Sequence, residues 1–277
     1  TVNNLSWAFD STNVSTFDYL QAGQTVTLTY TVTSTDSDTA HATDTQTIAV
    51  TITGTNDGIV VSNPTLTGTL TEMVTPSGNL TATGTINFTD LDLADVHVVT
   101  NSGTPAGAVL GALTNVSIDT DTTGTGTGGV LRWDYAVAAS SAEYLADGES
   151  KVDSFTVAFT DQHGSTITRT IDVTINGTND LPTIVAGQTT AVGTVTEIVD
   201  LATGENTTNL TSIGSIKFAD VDLSDTHTAT VGGVVLDGLG NVVATPLGAL
   251  TLGAVNQEGD TVAWTFTVAD STLDYLR

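Results

Sequence analysis

The sequence contains no cysteine, few basic residues and no long apolar run. Without cysteine, a disulfide framework, a cysteine-ligated zinc site and a thiol nucleophile are excluded. Only 5 Lys and Arg face 31 Asp and Glu in 277 residues, which gives a net charge of -26. The few basic residues could not neutralise phosphates, so nucleic acid is excluded as a partner. The net negative charge also argues against docking on anionic membranes. No stretch approaches the roughly 18 apolar residues of a membrane span, so no membrane insertion is expected.

The first residues also lack the features of a targeting segment. Thr1 opens directly into a polar stretch with neither a basic region nor an apolar core. We expect a soluble chain whose export signal, if it has one, lies outside this sequence.

What the sequence has in abundance is threonine, with 58 residues, together with Val and Ile. These β-branched residues favour strands over helices. Large apolar residues occupy every second position at 26–32, 48–52 and 131–137, which is typical of strands with one buried and one solvated face. Gly, Asp and Asn clusters separate the strands at the spacing of a sandwich. The sequence therefore predicts an all-β protein made of β-sandwiches.

The chain also repeats itself with a period of about 125 residues. The stretch TQTIAVTITGTND ends at Asp57, and TRTIDVTINGTND ends at Asp180, 123 residues later. Aromatic strands centred on Trp7, Trp133 and Trp264 recur with spacings of 126 and 131 residues, and each is followed by a Tyr-Leu pair. We interpret Trp133 as a core residue of the sandwich, with no binding role.

The repeat predicts three regions. Residues 1–57 are expected to be the C-terminal half of a sandwich repeat, residues 58–180 a complete repeat, and residues 181–277 the N-terminal part of a third repeat. One hypothesis is a segment of a longer tandem array, in which neighbouring repeats complete both ends. The alternative is a self-assembling subunit of an extracellular fibre or sheath, in which other copies complete the ends head to tail by strand addition.

Three motifs recur in the same order: a GTND terminus, a D-x-D-L-x-D-x-H segment, and a [DE]-Y-L-x-x-G-[EQ] turn. In this combination the chain resembles the VCBS-type, cadherin-like (Ig-like) tandem repeats of very large RTX-type bacterial surface adhesins. The resemblance spans essentially the whole chain. It implies sandwiches strung end to end with calcium at the junctions, secretion to the bacterial cell surface, and a role in cell adhesion and biofilm formation. The surface ligand, bound through other domains, is not identified by it.

An Ig-like strand order places acidic loops beside each linker. In the complete repeat, the B–C and F–G loops are expected to face the linker that precedes the sandwich. This first predicted site comprises Asn56, Asp57, Asp90, Asp92, Asp95 and Asp161. The second linker is expected to meet the next B–C loop and the preceding E–F turn, and the resemblance adds a glutamate on the first strand. This second predicted site comprises Asn179, Asp180, Asp220, Asp222, Asp225, Glu149 and Glu72.

Such oxygen-rich sets favour calcium, which takes 6–8 oxygen ligands, over magnesium, which keeps its waters. The competing interpretation of any single Asp is a turn residue that bonds its own backbone. His97 and His227 are expected to be strand residues rather than ligands.

Other classes have weaker support. The paired carboxylates recur at junctions, which is unlike a catalytic pair, and no Ser–His–Asp set is apparent, so no catalytic residues, organic cofactor or enzyme activity is expected. A carbohydrate-binding module and an isopeptide cross-link through Lys217 remain lesser alternatives.

Overall fold

A computed structural model of the chain describes residues 5–11 and 14–275. Among these residues, strands and loops dominate, and the helical parts are four short 3-10 turns at Val14–Phe17, Ala139–Ser141, Ala186–Gln188 and Asp270–Thr272. The first seven strands are β1 Thr25–Thr35, β2 Thr43–Thr53, β3 Val60–Ser62, β4 Thr67–Thr71, β5 Asn79–Thr89, β6 Val98–Pro105 and β7 Ala112–Thr120. The next seven are β8 Gly129–Ala138, β9 Ser150–Thr160, β10 Thr166–Asn176, β11 Thr183–Ile184, β12 Asn209–Ala219, β13 Gly248–Asn256 and β14 Thr261–Ala269.

Contacts divide the chain into two compact units. The first comprises Thr1–Ala142 and Ser150–Asn176, and the second comprises Glu143–Glu149 and Gly177–Arg277. The ends of the predicted repeats, at residues 57 and 180, fall between strands, after β2 and after β10. The division into three repeats stays a prediction.

The first unit contains a complete β-sandwich. One sheet has the order β3-β5-β8-β7 and the other the order β4-β10-β9-β6. Named along the chain as A, A′, B, C, D, E, F and G, these strands form an ABED sheet and an A′GFC sheet, which is the Ig-like arrangement with an added A′ strand. Strand β4 runs parallel to β10, whereas the other pairs are antiparallel. The predicted all-β sandwich fold is confirmed.

The alternating apolar residues of both sheets form the sandwich core. On β8, Trp133 is 0 % exposed, and Leu131, Tyr135 and Val137 are buried on the same face. The opposite sheet contributes Phe155, Val157 and Phe159 of β9 and Ile171, Val173 and Ile175 of β10. The Phe88 and Phe159 rings pack 5.1 Å apart, centroid to centroid. The Trp133 indole also donates a hydrogen bond to the Thr65 carbonyl at 2.7 Å. The prediction that Trp133 is a core residue is therefore correct.

Strands β1 and β2 form an antiparallel hairpin that is a separate two-stranded sheet. The aromatic segment around Trp7, which the repeat predicts to be a strand, is not one in this structure, and the Trp7 side chain is 58 % exposed. A strand needs a neighbour to satisfy its backbone. The described residues around this hairpin include no counterparts of β5 and β7 for it to pair with, which explains the difference.

The described residues of the second unit form a four-stranded sheet with the order β11-β12-β14-β13. This order repeats the β3-β5-β8-β7 sheet of the sandwich. Trp264 of β14 takes the place of Trp133, and its indole donates to the Thr190 carbonyl at 2.7 Å. A glycine faces each indole, because a Cβ at Gly84 or Gly214 would lie 2.5 or 2.4 Å from the ring.

Candidate metal centre

The loop after β5 folds through its own aspartates. Its sequence, Asp90-Leu91-Asp92-Leu93-Ala94-Asp95, lies between β5 and β6. The Asp92 N–H donates to Asp90 Oδ1 at 3.1 Å, and the Asp95 N–H donates to the Asp92 carbonyl at 3.1 Å. Aspartate stabilises such turns by bonding a backbone N–H two residues on. The loop therefore forms locally and turns its carboxylates inward.

The linker before the sandwich is hydrogen bonded to this loop. The Asp57 N–H donates to Asp92 Oδ2 at 2.7 Å. The Asn56 amide donates to Asp161 Oδ2 at 3.1 Å, which connects the linker to the loop between β9 and β10. In that loop, Asp161 Oδ1 accepts the N–H groups of His163 and Ser165 at 2.7 and 3.0 Å. Sequence positions 56–57, 90–95 and 161 thus meet at one end of the sandwich.

Three carboxylates converge there. One carboxylate oxygen of each of Asp90, Asp95 and Asp161 lies within 4.8 Å of the others, and the three residues are 1 %, 0 % and 0 % exposed. Such an inventory can hold a metal ion. Each predicted member of the first site is part of this end of the sandwich.

Several oxygens at this site are buried without a hydrogen-bond partner: Asn56 Oδ1, Asp92 Oδ1 and Asp95 Oδ2. Buried polar atoms are almost always satisfied, so unsatisfied ones require an explanation. The buried Asp153 in the same sandwich provides the contrast. Its carboxylate accepts the Tyr135 hydroxyl at 2.6 Å and the Leu110 and Gly111 N–H groups at 2.9 and 2.8 Å. Asp153 is structural, whereas the orphaned oxygens fit a bound cation.

The pKa values of the aspartates at this site are also consistent with a bound cation. Burial raises the pKa of Asp92 to about 6, and the carboxylates of Asp95, Asp57 and Asp90 contribute further. Burial likewise raises the pKa of Asp95, although His163, whose Nδ1 lies 3.0 Å from Asp95 Oδ1, opposes the rise. At Asp161, burial is outweighed by the backbone N–H donors and the Asn56 amide, so its pKa is lowered.

The second unit repeats these contacts almost bond for bond. The Asp180 N–H donates to Asp222 Oδ2 at 2.7 Å, and the Asp222 N–H donates to Asp220 Oδ1 at 3.1 Å. The Asp225 N–H donates to the Asp222 carbonyl at 3.2 Å, and the Asn179 amide donates to the Asp180 carbonyl at 2.7 Å. Asp180 Oδ2 and Asp222 Oδ1 are buried without a hydrogen-bond partner. Burial raises the pKa of Asp222. The hydrogen bond from the Asp180 N–H opposes this rise, and the carboxylates of Asp180, Asp220 and Asp225 add to it.

That Glu149 and Glu72 are ligands of the second site stays a prediction. Glu149 is exposed, and its Oε2 accepts the Ala146 N–H of its own turn at 3.2 Å. Glu72 follows β4 in the first unit, is 4 % exposed, and its N–H donates to the Asn176 carbonyl at 2.8 Å.

Sequence reasoning missed several residues around these sites. Burial raises the pKa of Asp57, and the negative charge of Asp18 raises it further. Glu143 lies in the second unit, with a carboxylate oxygen within 4.8 Å of one of Asp180. The signal was present, because an acid precedes each Tyr-Leu pair, at Asp18, Glu143 and Asp274.

The two histidines lie beside the loops rather than inside the carboxylate sets. His97 Nε2 lies 3.2 Å from Asp90 Oδ2, and its Nδ1 lies 2.6 Å from Asp121 Oδ1. His227 Nε2 lies 3.0 Å from Asp220 Oδ2. Each imidazole packs against a phenylalanine, at centroid distances of 4.8 Å for Phe88 and 4.7 Å for Phe218. Both rings therefore hold the first aspartate of their loop in place.

Comparison with known proteins identifies no family for this chain. No family model matches the chain, and no curated protein does. Among solved structures, a protein of unknown function from Porphyromonas gingivalis W83 is 14 % identical over 56 % of this chain and 66 % of its own, with a TM-score of 0.25. Cadherin-like domains 1 to 4 of zebrafish RET are 11 % identical over 89 % of this chain and 51 % of theirs, with a TM-score of 0.28.

Extracellular cadherin domains 1–5 of protocadherin gamma B2 are 16 % identical over 90 % of this chain and 40 % of theirs, with a TM-score of 0.32. The chain thus spans between two fifths and two thirds of the length of these structures. The fold assignment here depends on the strand order of the sandwich. In the part of the chain that the structure describes, none of the helical segments has the length and hydrophobicity needed to span a bilayer.

Proposed function

We propose that this chain is a structural extender segment of a secreted bacterial surface adhesin, stiffened by calcium at its linkers. The observation that carries the proposal is the pair of matching carboxylate sets, each centred on a linker Asn-Asp and a D-x-D-L-x-D loop. Recurrence at a fixed place in successive repeats suits a structural ion and is unlike a catalytic centre.

Calcium is the cation that this chemistry fits best. The donors are carboxylate and amide oxygens, with no thiolate available in the chain. Hard oxygen ligands in a flexible set of six to eight favour calcium over magnesium, which prefers to keep several waters. At the first site Asn56, Asp57, Asp90, Asp92, Asp95 and Asp161 would hold it, and at the second Asn179, Asp180, Asp220, Asp222 and Asp225, with Glu143 added.

The mechanical consequence follows from charge and from the linker contacts. When bound, calcium supplies the positive charge that neutralises these carboxylates. The hydrogen bond from the Asp57 N–H to Asp92 already connects linker and loop, and a shared cation would make that connection rigid. Without the cation, repulsion within a chain of net charge -26 would loosen it.

The adhesive role depends on the resemblance to the repeats of bacterial surface adhesins. Several of the solved structures that the chain resembles are named as cadherin domains. In this proposal the segment displays adhesive domains at a distance from the bacterial surface, in adhesion or biofilm formation, and performs no catalysis. Its direct partners are neighbouring repeats or other copies, and the surface ligand belongs to other domains.

Calcium titration by calorimetry, together with solution scattering, tests the proposal. We expect saturable calcium binding and a longer, stiffer particle in calcium than in chelator. Asp92→Ala should weaken the first site and leave the second nearly unchanged, whereas Asp119→Asn, an exposed charge on β7, should change neither. No calcium binding by calorimetry, with identical scattering in calcium and chelator, would contradict the proposal.

A further inference from the structure

The loop between β7 and β8, residues 121–128, is rich in threonine and glycine and lies against the D-x-D-L-x-D loop of the sandwich, residues 90–95. Three hydrogen bonds join the two loops: from the Thr123 hydroxyl to the Asp95 carbonyl at 2.6 Å, from the Gly124 N–H to the Leu93 carbonyl at 2.7 Å, and from the Asp90 N–H to the Gly126 carbonyl at 3.2 Å. Local hydrogen bonds shape the aspartate loop, and these bonds fix it against the sandwich at three points. We call residues 121–128 the β7–β8 clamp.

The close approach of the two loops requires glycine at position 126. Gly126 is buried and has a φ of +71°, a backbone conformation that strains any residue with a Cβ. A Cβ at this position would also lie 3.3 Å from the Asp90 carbonyl oxygen and from the Leu93 side chain. The sequence of the clamp is therefore fitted to the loop that it touches.

Asp121 begins the clamp and contacts His97 twice. Its Oδ2 accepts the His97 N–H at 3.0 Å, and its Oδ1 lies 2.6 Å from His97 Nδ1. The other ring nitrogen of His97, Nε2, lies 3.2 Å from Asp90 Oδ2. The His97 side chain is fully buried and packs on Phe88. A continuous series of contacts thus connects the clamp to the first carboxylate of the metal site.

The second unit has a related arrangement with a different residue. Gln257 follows β13 as Asp121 follows β7. Its Oε1 accepts the His227 N–H at 2.9 Å, and its Nε2 donates to the His227 carbonyl at 2.7 Å. His227 Nε2 in turn lies 3.0 Å from Asp220 Oδ2. The residue after this strand therefore contacts the histidine in both units, as a carboxylate in one and as an amide in the other, which favours a role in orienting the histidine.

We infer that Asp121 is a positioning residue of the first metal site, acting through His97 on Asp90, and that the β7–β8 clamp holds the D-x-D-L-x-D loop in its binding shape before any cation is bound. Asp121 is not itself a ligand, because its carboxylate accepts the N–H groups of His97 and of Thr122, the latter at 2.7 Å. The positioning role rests on the calcium function proposed above, whereas the shape of the loop without a cation does not.

A loop held in this way affects both the strength and the selectivity of binding. Ligands that are already in place lose less conformational entropy when the cation binds. Selectivity between calcium and magnesium depends on the size and the flexibility of the cavity, and magnesium requires shorter distances to its oxygens. A loop that cannot contract therefore discriminates against magnesium, and a loosened loop should discriminate less.

Hydrogen exchange in chelator, followed by mass spectrometry, tests the clamp with no cation present. Peptides that cover residues 90–95 should exchange on the order of tenfold faster in the Asp121→Ala chain, the effect of losing a hydrogen bond to a charged group. Thr123→Val, at an exposed position, removes only the bond to the Asp95 carbonyl and should have a smaller effect in the same direction. Asp119→Asn, an exposed charge on the neighbouring strand, is the matched control and should change nothing.

Calorimetric titration with calcium alone and with magnesium alone tests the positioning role. Asp121→Ala should weaken calcium binding at the first site on the order of tenfold, as the loss of a residue that orients a ligand does. It should weaken magnesium binding less, so the ratio of the two affinities falls. Asp121→Asn keeps an oxygen for the His97 N–H and should restore most of both. General destabilisation of the sandwich would instead weaken both cations alike.

Each part of the inference has its own contrary result. Equal exchange of residues 90–95 in the unmodified, Asp121→Ala and Thr123→Val chains would overturn the clamp, and the Thr123→Val chain alone decides it if Asp121→Ala does not fold. An unchanged ratio of calcium to magnesium affinity in Asp121→Ala would overturn the positioning role while the proposed function stands. No calcium binding by the unmodified chain would contradict the proposed function and the positioning role together, and the exchange in chelator would still decide the clamp.

Discussion

The D-x-D-L-x-D loop of the sandwich and that of the second unit have the same hydrogen bonds but different burial. In both, the linker N–H donates to the middle aspartate at 2.7 Å, and that residue's N–H donates to the first aspartate at 3.1 Å. Asp95 is 0 % exposed, however, whereas its counterpart Asp225 is partly exposed. The difference teaches that the loop is built by local sequence, while its burial depends on the β9–β10 hairpin contributed from far along the chain.

The two sheets differ in the same way. Trp133 lies between the two sheets of the sandwich. Trp264 lies on the single sheet formed by the described residues of the second unit, where the chain at Gly193 also approaches its ring. Each indole makes the same 2.7 Å hydrogen bond to a threonine carbonyl. The local environment of the ring is thus conserved between the two units, and only the opposite layer differs.

The largest expected effect is the difference between the two tryptophans. Trp133→Ala should lower the free energy of unfolding of the sandwich by about 3–5 kcal/mol, because it leaves an enclosed cavity. Trp264→Ala should cost the second unit about 1.5–3 kcal/mol, since water can enter from the open face. Hydrogen exchange of peptides from each unit, followed by mass spectrometry, measures the two values separately. Equal losses would show that the second sheet is covered as completely as the first.

The second effect sharpens the comparison of the metal sites. Calcium should bind the first site on the order of tenfold more tightly than the second in monomeric chain, because only the first has Asp161. Asp161→Asn should remove that difference while keeping an oxygen that can accept the N–H groups of His163 and Ser165. Calorimetric calcium titration of the unmodified chain and of the Asp161→Asn chain measures the affinities of the two sites. If the variant still binds calcium in two unequal steps, Asp161 is not the source of the difference.

The fold and much of the first site were predictable because they depend on periodic and repeated patterns. Alternation in 131–137 indicates one buried face, and the recurrence of D-x-D-L-x-D indicates which loop meets which linker. The failure at Trp7 has a physical reason: the segment has strand composition, but a strand forms only where neighbours satisfy its backbone, and composition does not contain that information. Asp18 and Glu143 were missed because a single acid before Tyr-Leu also suits an ordinary turn.

The smallest expected effect concerns Asp92. The difference in stability between the Asp92→Asn chain and the unmodified chain should change sign with pH and calcium. Its raised pKa of about 6 means that the folded state binds a proton more tightly than the unfolded state. Stability in chelator should therefore fall as the pH rises from about 4 through about 6, because the buried carboxylate must ionise. Asp92→Asn removes that ionisation and retains an oxygen to accept the Asp57 N–H.

In chelator at pH 7, the Asp92→Asn chain should thus be more stable than the unmodified chain, and the gap should vanish near pH 4. In calcium at pH 7 the order should reverse, because the cation stabilises only the ionised carboxylate. The pKa of Asp222 is raised by a similar environment in a more open site. Asp222→Asn should therefore show the same reversal with smaller amplitude. Thermal unfolding of the three chains at pH 4 and 7, with calcium and with chelator, measures both. An Asp92→Asn chain that is less stable in chelator at pH 7 would mean that the Asp92 carboxylate is stabilised by protein groups and needs no cation.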